Sequence, residues 1–292
     1  MHPAPSVILF TVLSGIGFGF LCVLNLGLVH PTGLGGLLAF AIGYAFAVAG
    51  LLASTFHLGN PQRALRAFTQ WKTSWLSREG WASVAALLAT APVALGAMGG
   101  MRPGLWGLVA AALCVATVIC TSMIYAQLKT VPRWNHWIVP VTFLAFAATG
   151  GMILSGIGWP AAVLCVILAG VMVTGWRIGD GRFAASGTSV GSATGLGGIG
   201  TVRPFQPPHT SPNYVMKEMI HQVGRKHVQK LRIVAVVGGA VVPALMLIAL
   251  PSGLPAAGLA LLVHLAGAFA QRWLFFAEAE HVVSHYYGAS SL

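Results

Sequence analysis

The sequence predicts an all-α membrane protein with eight transmembrane helices and a short interfacial amphipathic helix between helices 2 and 3. Three observations carry this prediction. The chain of 292 residues is 57% hydrophobic and only 7% charged, against roughly 25% charged residues in an average soluble domain, and its mean hydropathy is +0.81. Apolar runs recur along it, each long enough to cross a bilayer at about 20 residues per crossing. The runs are continuous rather than alternating, so the backbone is satisfied in lipid by helices and not by a barrel.

The spans fall at about 5–29, 34–57, 80–99, 104–127, 137–156, 159–177, 233–251 and 254–279. Residues 1–292 therefore read as one integral membrane domain with an extramembrane loop at about 178–232. The first span has neither a basic leader region nor a small-x-small cleavage site and reads as a retained helix. Its Gly15, Gly17 and Gly19 form a small-residue face for close helix contact. No convincing internal repeat is present.

A net charge of +11 could point to nucleic acid, but its placement points to a membrane. The loop between spans 2 and 3 holds Arg63, Arg66, Lys72 and Arg78, and the loop between spans 4 and 5 holds Lys129 and Arg133. The loop between spans 6 and 7, with its margins, holds Arg177, Arg182, Arg203, Lys217, Arg225, Lys226, Lys230 and Arg232. The opposite loops hold Arg102 alone. This asymmetry follows the positive-inside rule and puts the even loops and both termini in the cytoplasm. The basic face also suits an acidic protein partner and anionic lipid.

The connector after span 2 carries the chemistry. Span 2 stops at His57, Gly59 and Pro61. In the predicted amphipathic helix Ala64, Phe68, Trp71 and Trp75 form one stripe, with Arg63, Arg66 and Gln70 elsewhere, and the tryptophans reach headgroup depth. Ser77 is the expected N-cap of span 3, which leaves Glu79 in its first turn. The helix ends favour the charged forms of His57 and Glu79, while desolvation opposes them. Both are thus candidates to exchange a proton near neutral pH at one interfacial depth. A quinone needs such groups: donors to its carbonyls and a proton route. The plainer alternatives are a dipole-capping glutamate and an incidental interfacial histidine, and the residues alone leave both readings open.

Other features are weaker. Bis-histidine haem needs two facing imidazoles inside a bundle, and only His264 lies clearly within a span; a hydrogen-bonded bundle histidine explains it. Cys22, Cys114, Cys120 and Cys165 sit singly in spans with no CxxC, so no iron–sulfur or zinc site is encoded, and they read as packing residues. The GxGxxG match at Gly195–Gly200 follows no strand and is read as loop. Prolines 204, 207, 208 and 212 stiffen the long loop, Lys217–Arg232 reads as a basic juxtamembrane helix, and the whole segment is expected to embrace a partner subunit. Glu278 and Glu280, near the end of span 8, read as capping and salt-pairing groups for the basic face, with partner contact as the alternative.

Several blocks resemble the membrane anchor subunits of dimethyl-sulfoxide-reductase-type molybdenum enzymes. They are the opening Met1-His-Pro-Ala-Pro-Ser-Val-Ile, Phe56-His-Leu-Gly-Asn-Pro-Gln-Arg-Ala, Trp75-Leu-Ser-Arg-Glu79, Ser122-Met-Ile-Tyr-Ala-Gln-Leu-Lys129 and Phe276-Ala-Glu-Ala-Glu-His-Val-Val. The resemblance implies eight helices, no haem or iron–sulfur cluster on this chain, and a site for ubiquinone or menaquinone beside an iron–sulfur electron-transfer subunit. That subunit serves a catalytic subunit bearing molybdopterin guanine dinucleotide. The family's quinol-site histidine and glutamate fall on His57 and Glu79, and Arg63, Arg66, Trp71, Trp75 and Arg78 complete the candidate set. The opening and closing blocks look more like the sulfite-oxidising branch, which reduces quinone, than the S-oxide reductases, which oxidise quinol. A secondary transporter is the reading from another class. It requires a midplane charged site, whereas these spans are nearly free of charge.

Overall fold

In a computed structural model the described residues are 1–56, 60–203, 205–206, 211, 213–220 and 227–287. Among them every regular element is helical: α1 (Pro5–Asn25), α2 (Gly33–Thr55), α3 (Trp75–Met98), α4 (Gly104–Ala126), α5 (Ile138–Leu154) and α6 (Gly158–Asp180). Three short helices follow, α7 (Arg182–Ala185), α8 (Val190–Thr194) and α9 (Tyr214–Met219). Then α10 (Val228–Val236) runs through a π-helical turn at Val237–Val241 into α11 (Val242–Ala249), and α12 (Leu254–Ala277) closes the bundle. Among the described residues seven segments are long and apolar enough to cross a membrane, the α10–α11 unit counting as one, while α5 is a shorter apolar helix of 17 residues.

Helix α1 is the axis of the bundle. It packs against α2, α4, α5 and α12 and is the most buried of the long helices. Its small-residue face makes this possible: a Cβ on Gly17 would collide with the backbone of Ala47 on α2, and one on Gly19 with the carbonyl of Ala147 on α5. Gly15, expected on the same contact face, instead has open space where a side chain would begin. At the far end, buried Asn25 donates to Thr90 Oγ1 of α3 at 2.9 Å.

The N-terminus meets the segment that follows α12. The Met1 ammonium donates to Ala279 O at 2.8 Å, and Val282 N donates to Thr130 O at 2.9 Å. The N-terminus, the segment after α12 and the α4–α5 loop therefore share one face, the termini face, which the end of α6 and the start of α10 join through the ion network described below.

The α2–α3 connector departs from the single expected helix. A 3₁₀ helix covers Pro61–Phe68 and stops; Thr73 N and Ser74 N then turn back to Gln70 O at 3.1 and 2.9 Å. The stripe is broken there: Trp71 lies in the turn, and Trp75 is the first residue of α3. Ser74, not Ser77, holds the N-cap position, and Ser77 is buried inside the helix with no partner for its hydroxyl among the described residues. This earlier start moves Glu79 to the fifth helical residue, past the first turn, and onto the buried face.

Candidate functional site

Glu79 is 4% exposed. Its Oε1 accepts from Thr121 Oγ1 of α4 at 3.4 Å, while the same hydroxyl lies 3.0 Å from Thr117 O. A buried carboxyl held by one long hydrogen bond is poorly compensated for burial, and such groups concentrate at functional sites.

The neighbouring residues of α3 face outward into an open groove lined by Phe68, Thr69, Trp71, Arg78 and Trp81. Arg78 is the fastener of this wall. Its Nε donates to Trp71 O at 2.9 Å, an Nη donates to Lys72 O at 2.7 Å, and its guanidinium lies 4.4 Å from the Trp75 ring centre. Trp81 donates to Phe68 O at 3.0 Å and meets the Phe68 ring edge to face at 5.5 Å. Two tryptophans, a phenylalanine and a delocalised cation thus make a slot suited to a flat, partly apolar group.

Of the expected site residues, Trp71, Trp75 and Arg78 come together here. Arg63 and Arg66 are exposed on the 3₁₀ helix. Glu79 lies on the same stretch of α3 but turns inward, so it does not line the groove. His57 lies outside the described residues, as does Gly59; α2 itself ends at Thr55.

A second polar cluster ties the termini face together. Arg133 bridges Glu278 and Asp180 (3.0 Å to Asp180), and Arg232 bridges the same pair, at 2.8 Å to Glu278 Oε1 and 2.8 Å to Asp180 Oδ2. Salt pairing of Glu278 with the basic face is therefore what forms. Burial and the Arg182 cation hold His136 below the usual histidine range, and burial with the N-terminal ammonium does the same for His281. The Glu278→Ala variant leaves two largely buried guanidiniums with the half-exposed Asp180 alone. It should cost ~2 kcal/mol, between the ~1 of an exposed pair and the ~3–5 of a buried one. Asp180→Asn should cost under ~1 kcal/mol. Thermal denaturation of the detergent-solubilised protein measures both.

Sequence reasoning missed Arg272. It lies within α12, 2% exposed, with its guanidinium 3.6 Å from the Phe143 ring centre and 5.3 Å from that of Phe146. The signal was present: Arg272 is the one cation that falls in neither a loop nor a margin of the predicted spans. It is the exception among span interiors that are otherwise nearly free of charge. His264, about two turns earlier on α12 and lining the same crevice, is fully buried, and its Nδ1 is 2.6 Å from Gly239 O. Among the described residues no group of three or more histidines, cysteines and acids is placed to hold a metal ion.

Comparison with known proteins identifies the lineage. The family described as DMSO reductase anchor subunit (DmsC) matches residues 1–170. The chain belongs to this anchor-subunit family. It is a multi-pass membrane protein, and its family is that of membrane anchors of molybdoenzyme complexes. The sulfite dehydrogenase subunit of Allochromatium vinosum that bears the letter C is 30% identical to it, over 98% of this chain and 99% of the relative. No solved structure matches the chain.

Proposed function

We propose that this anchor subunit is quinone-reactive: it exchanges electrons between the membrane quinone pool and a partner iron–sulfur subunit, which in turn serves a molybdopterin catalytic subunit. The observation that carries the reading is Glu79, a buried carboxyl on the inner face of the α3 turn whose outer residues Arg78 and Trp81 line the aromatic and basic groove. A quinone head, ubiquinone or menaquinone, needs an apolar slot, a hydrogen-bond donor to a carbonyl and a proton source. Phe68, Trp71 and Trp81 fit the first need and Glu79 fits the last. His57 at the end of span 2 is the donor to the carbonyl. Arg78 and Trp75 hold the wall, while Arg63 and Arg66, exposed on the 3₁₀ helix, meet the acidic face of the iron–sulfur subunit.

Reduction of a quinone takes two electrons and two protons. In this reading the two electrons come from the partner's nearest cluster, and Glu79 hands over the two protons in turn, regaining one from the aqueous side after each transfer. We favour sulfite oxidation with quinone reduction, because the named relative matches end to end. The family description favours the reverse, quinol oxidation for an S-oxide reductase, which uses the same residues with the proton leaving through Glu79.

In the membrane we assign eight spans, counting α5. Its 17 residues rise about 26 Å, close to the ~30 Å hydrocarbon core. The Pro61–Phe68 segment and its turn lie at the interface, and the termini face is cytoplasmic by the distribution of arginine and lysine. The test is removal of this chain from the complex. The two soluble subunits alone should keep sulfite oxidation with an artificial dye, lose quinone reduction and leave the membrane fraction. Quinone reduction undiminished without the chain would overturn the assignment.

A further inference from the structure

A narrow crevice runs between α1, α4, α5 and α12, and its polar lining is Thr11, Ser14, Thr121, His264 and Arg272. Hydrogen-bond bookkeeping shows what this lining takes. The hydroxyls of Thr11 and Ser14 donate to carbonyls of their own helix, Val7 O at 3.0 Å and Phe10 O at 2.6 Å, and so present lone pairs. Thr121 likewise donates to Thr117 O or to Glu79 and offers lone pairs to the crevice.

The tautomer of His264 is fixed by sequence. Pro243 has no N–H to return to the carbonyl four residues earlier, at Gly239, so the π-helical turn leaves that carbonyl for the imidazole. A carbonyl only accepts, so Nδ1 carries the hydrogen and neutral Nε2 is an acceptor. That Nε2 and Arg272 Nη1 are buried with no partner among the described residues. The crevice therefore offers several acceptors and one strong donor. An anion would meet too many lone pairs. Water, which accepts once or twice and donates twice, complements the set.

We propose that this crevice is a water-binding site and that Thr121 couples its water to Glu79 as a proton relay. The Thr121 hydroxyl passes its hydrogen to the Glu79 carboxylate and takes one from the water. As it gives up this hydrogen the water takes a proton from the aqueous phase, past Ser14 and Thr11, which lie toward the N-terminal end of α1. One proton enters, one is delivered, and no electron moves. Arg272 and His264 act as positioning residues that hold the water. The relay role rests on the quinone reaction proposed above.

The test compares quinone-linked turnover of the intact complex in light and heavy water for wild type, Thr121→Val, Thr121→Ser, Gly15→Leu and Glu79→Gln. Thr121→Val removes the relay hydroxyl in nearly the same volume. Gly15→Leu adds an apolar side chain to the crevice lining, at a position where its Cβ meets no atom within 4 Å. Both should slow turnover roughly tenfold and enlarge the solvent isotope effect, while Thr121→Ser restores both. Wild-type turnover and isotope effect in Thr121→Val and Gly15→Leu, with Glu79→Gln inactive, would overturn the relay and leave the quinone site standing. Wild-type turnover in all of them, Glu79→Gln included, would overturn the relay together with the quinone reading.

Discussion

Replacing Glu79 by glutamine is expected to lower quinone-linked turnover of the complex by about 100-fold or more, the usual worth of a positioned proton-transfer group. The amide has the shape of the carboxyl and can still accept from Thr121 Oγ1, now 3.4 Å away, so packing between α3 and α4 survives. It cannot carry a proton. Because Glu79 is 4% exposed, water does not readily stand in for it. Oxidation of sulfite with an artificial dye, which bypasses this chain, should be unaffected. Assaying one preparation with quinone and with dye separates a lost proton carrier from a lost complex. Equal losses in both assays would assign Glu79 to assembly instead.

His57→Ala should have an effect of similar size, roughly 100-fold or more on quinone-linked turnover, with dye-linked activity retained. In the sequence His57 ends span 2 and leads into the connector that Pro61 opens. A side chain that donates to a quinone carbonyl stabilises the negative charge that grows there on reduction, and alanine leaves that charge unmet. His57→Gln keeps a donor and should recover part of the rate. Retained quinone turnover in His57→Ala would remove this residue from the site.

Much of the bundle was legible because its signals are local. Continuous apolar runs mark helices wherever lipid forbids unpaired backbone, and Gly17 and Gly19 announce a close approach that their contacts with α2 and α5 make plain. Glu278 was legible as a salt-pairing group because acids are so scarce. The connector was less so. Periodicity extends a helix through Trp71 and Trp75, but it cannot see Thr73 and Ser74 turning back on Gln70, and that turn moves the start of α3 forward to Trp75. The same shift put Ser77 inside the helix and turned Glu79 toward Thr121. Arg272 was hidden for a different reason. Its compensation comes from the rings of Phe143 and Phe146 on another helix, and no spacing within α12 reveals that. His264 read correctly as a hydrogen-bonded bundle histidine, yet its partner Gly239 emerges only when Pro243 and the π-helical turn are seen together.

Photolabelling of the membrane-embedded complex with an azidoquinone, followed by peptide mapping, tests the central claim most directly. The account predicts label within the segment from His57 to Trp81, competed by native quinone and lost in His57→Ala. Label confined to the opposite face, around Arg102 or the α1–α2 and α5–α6 turns, would contradict it.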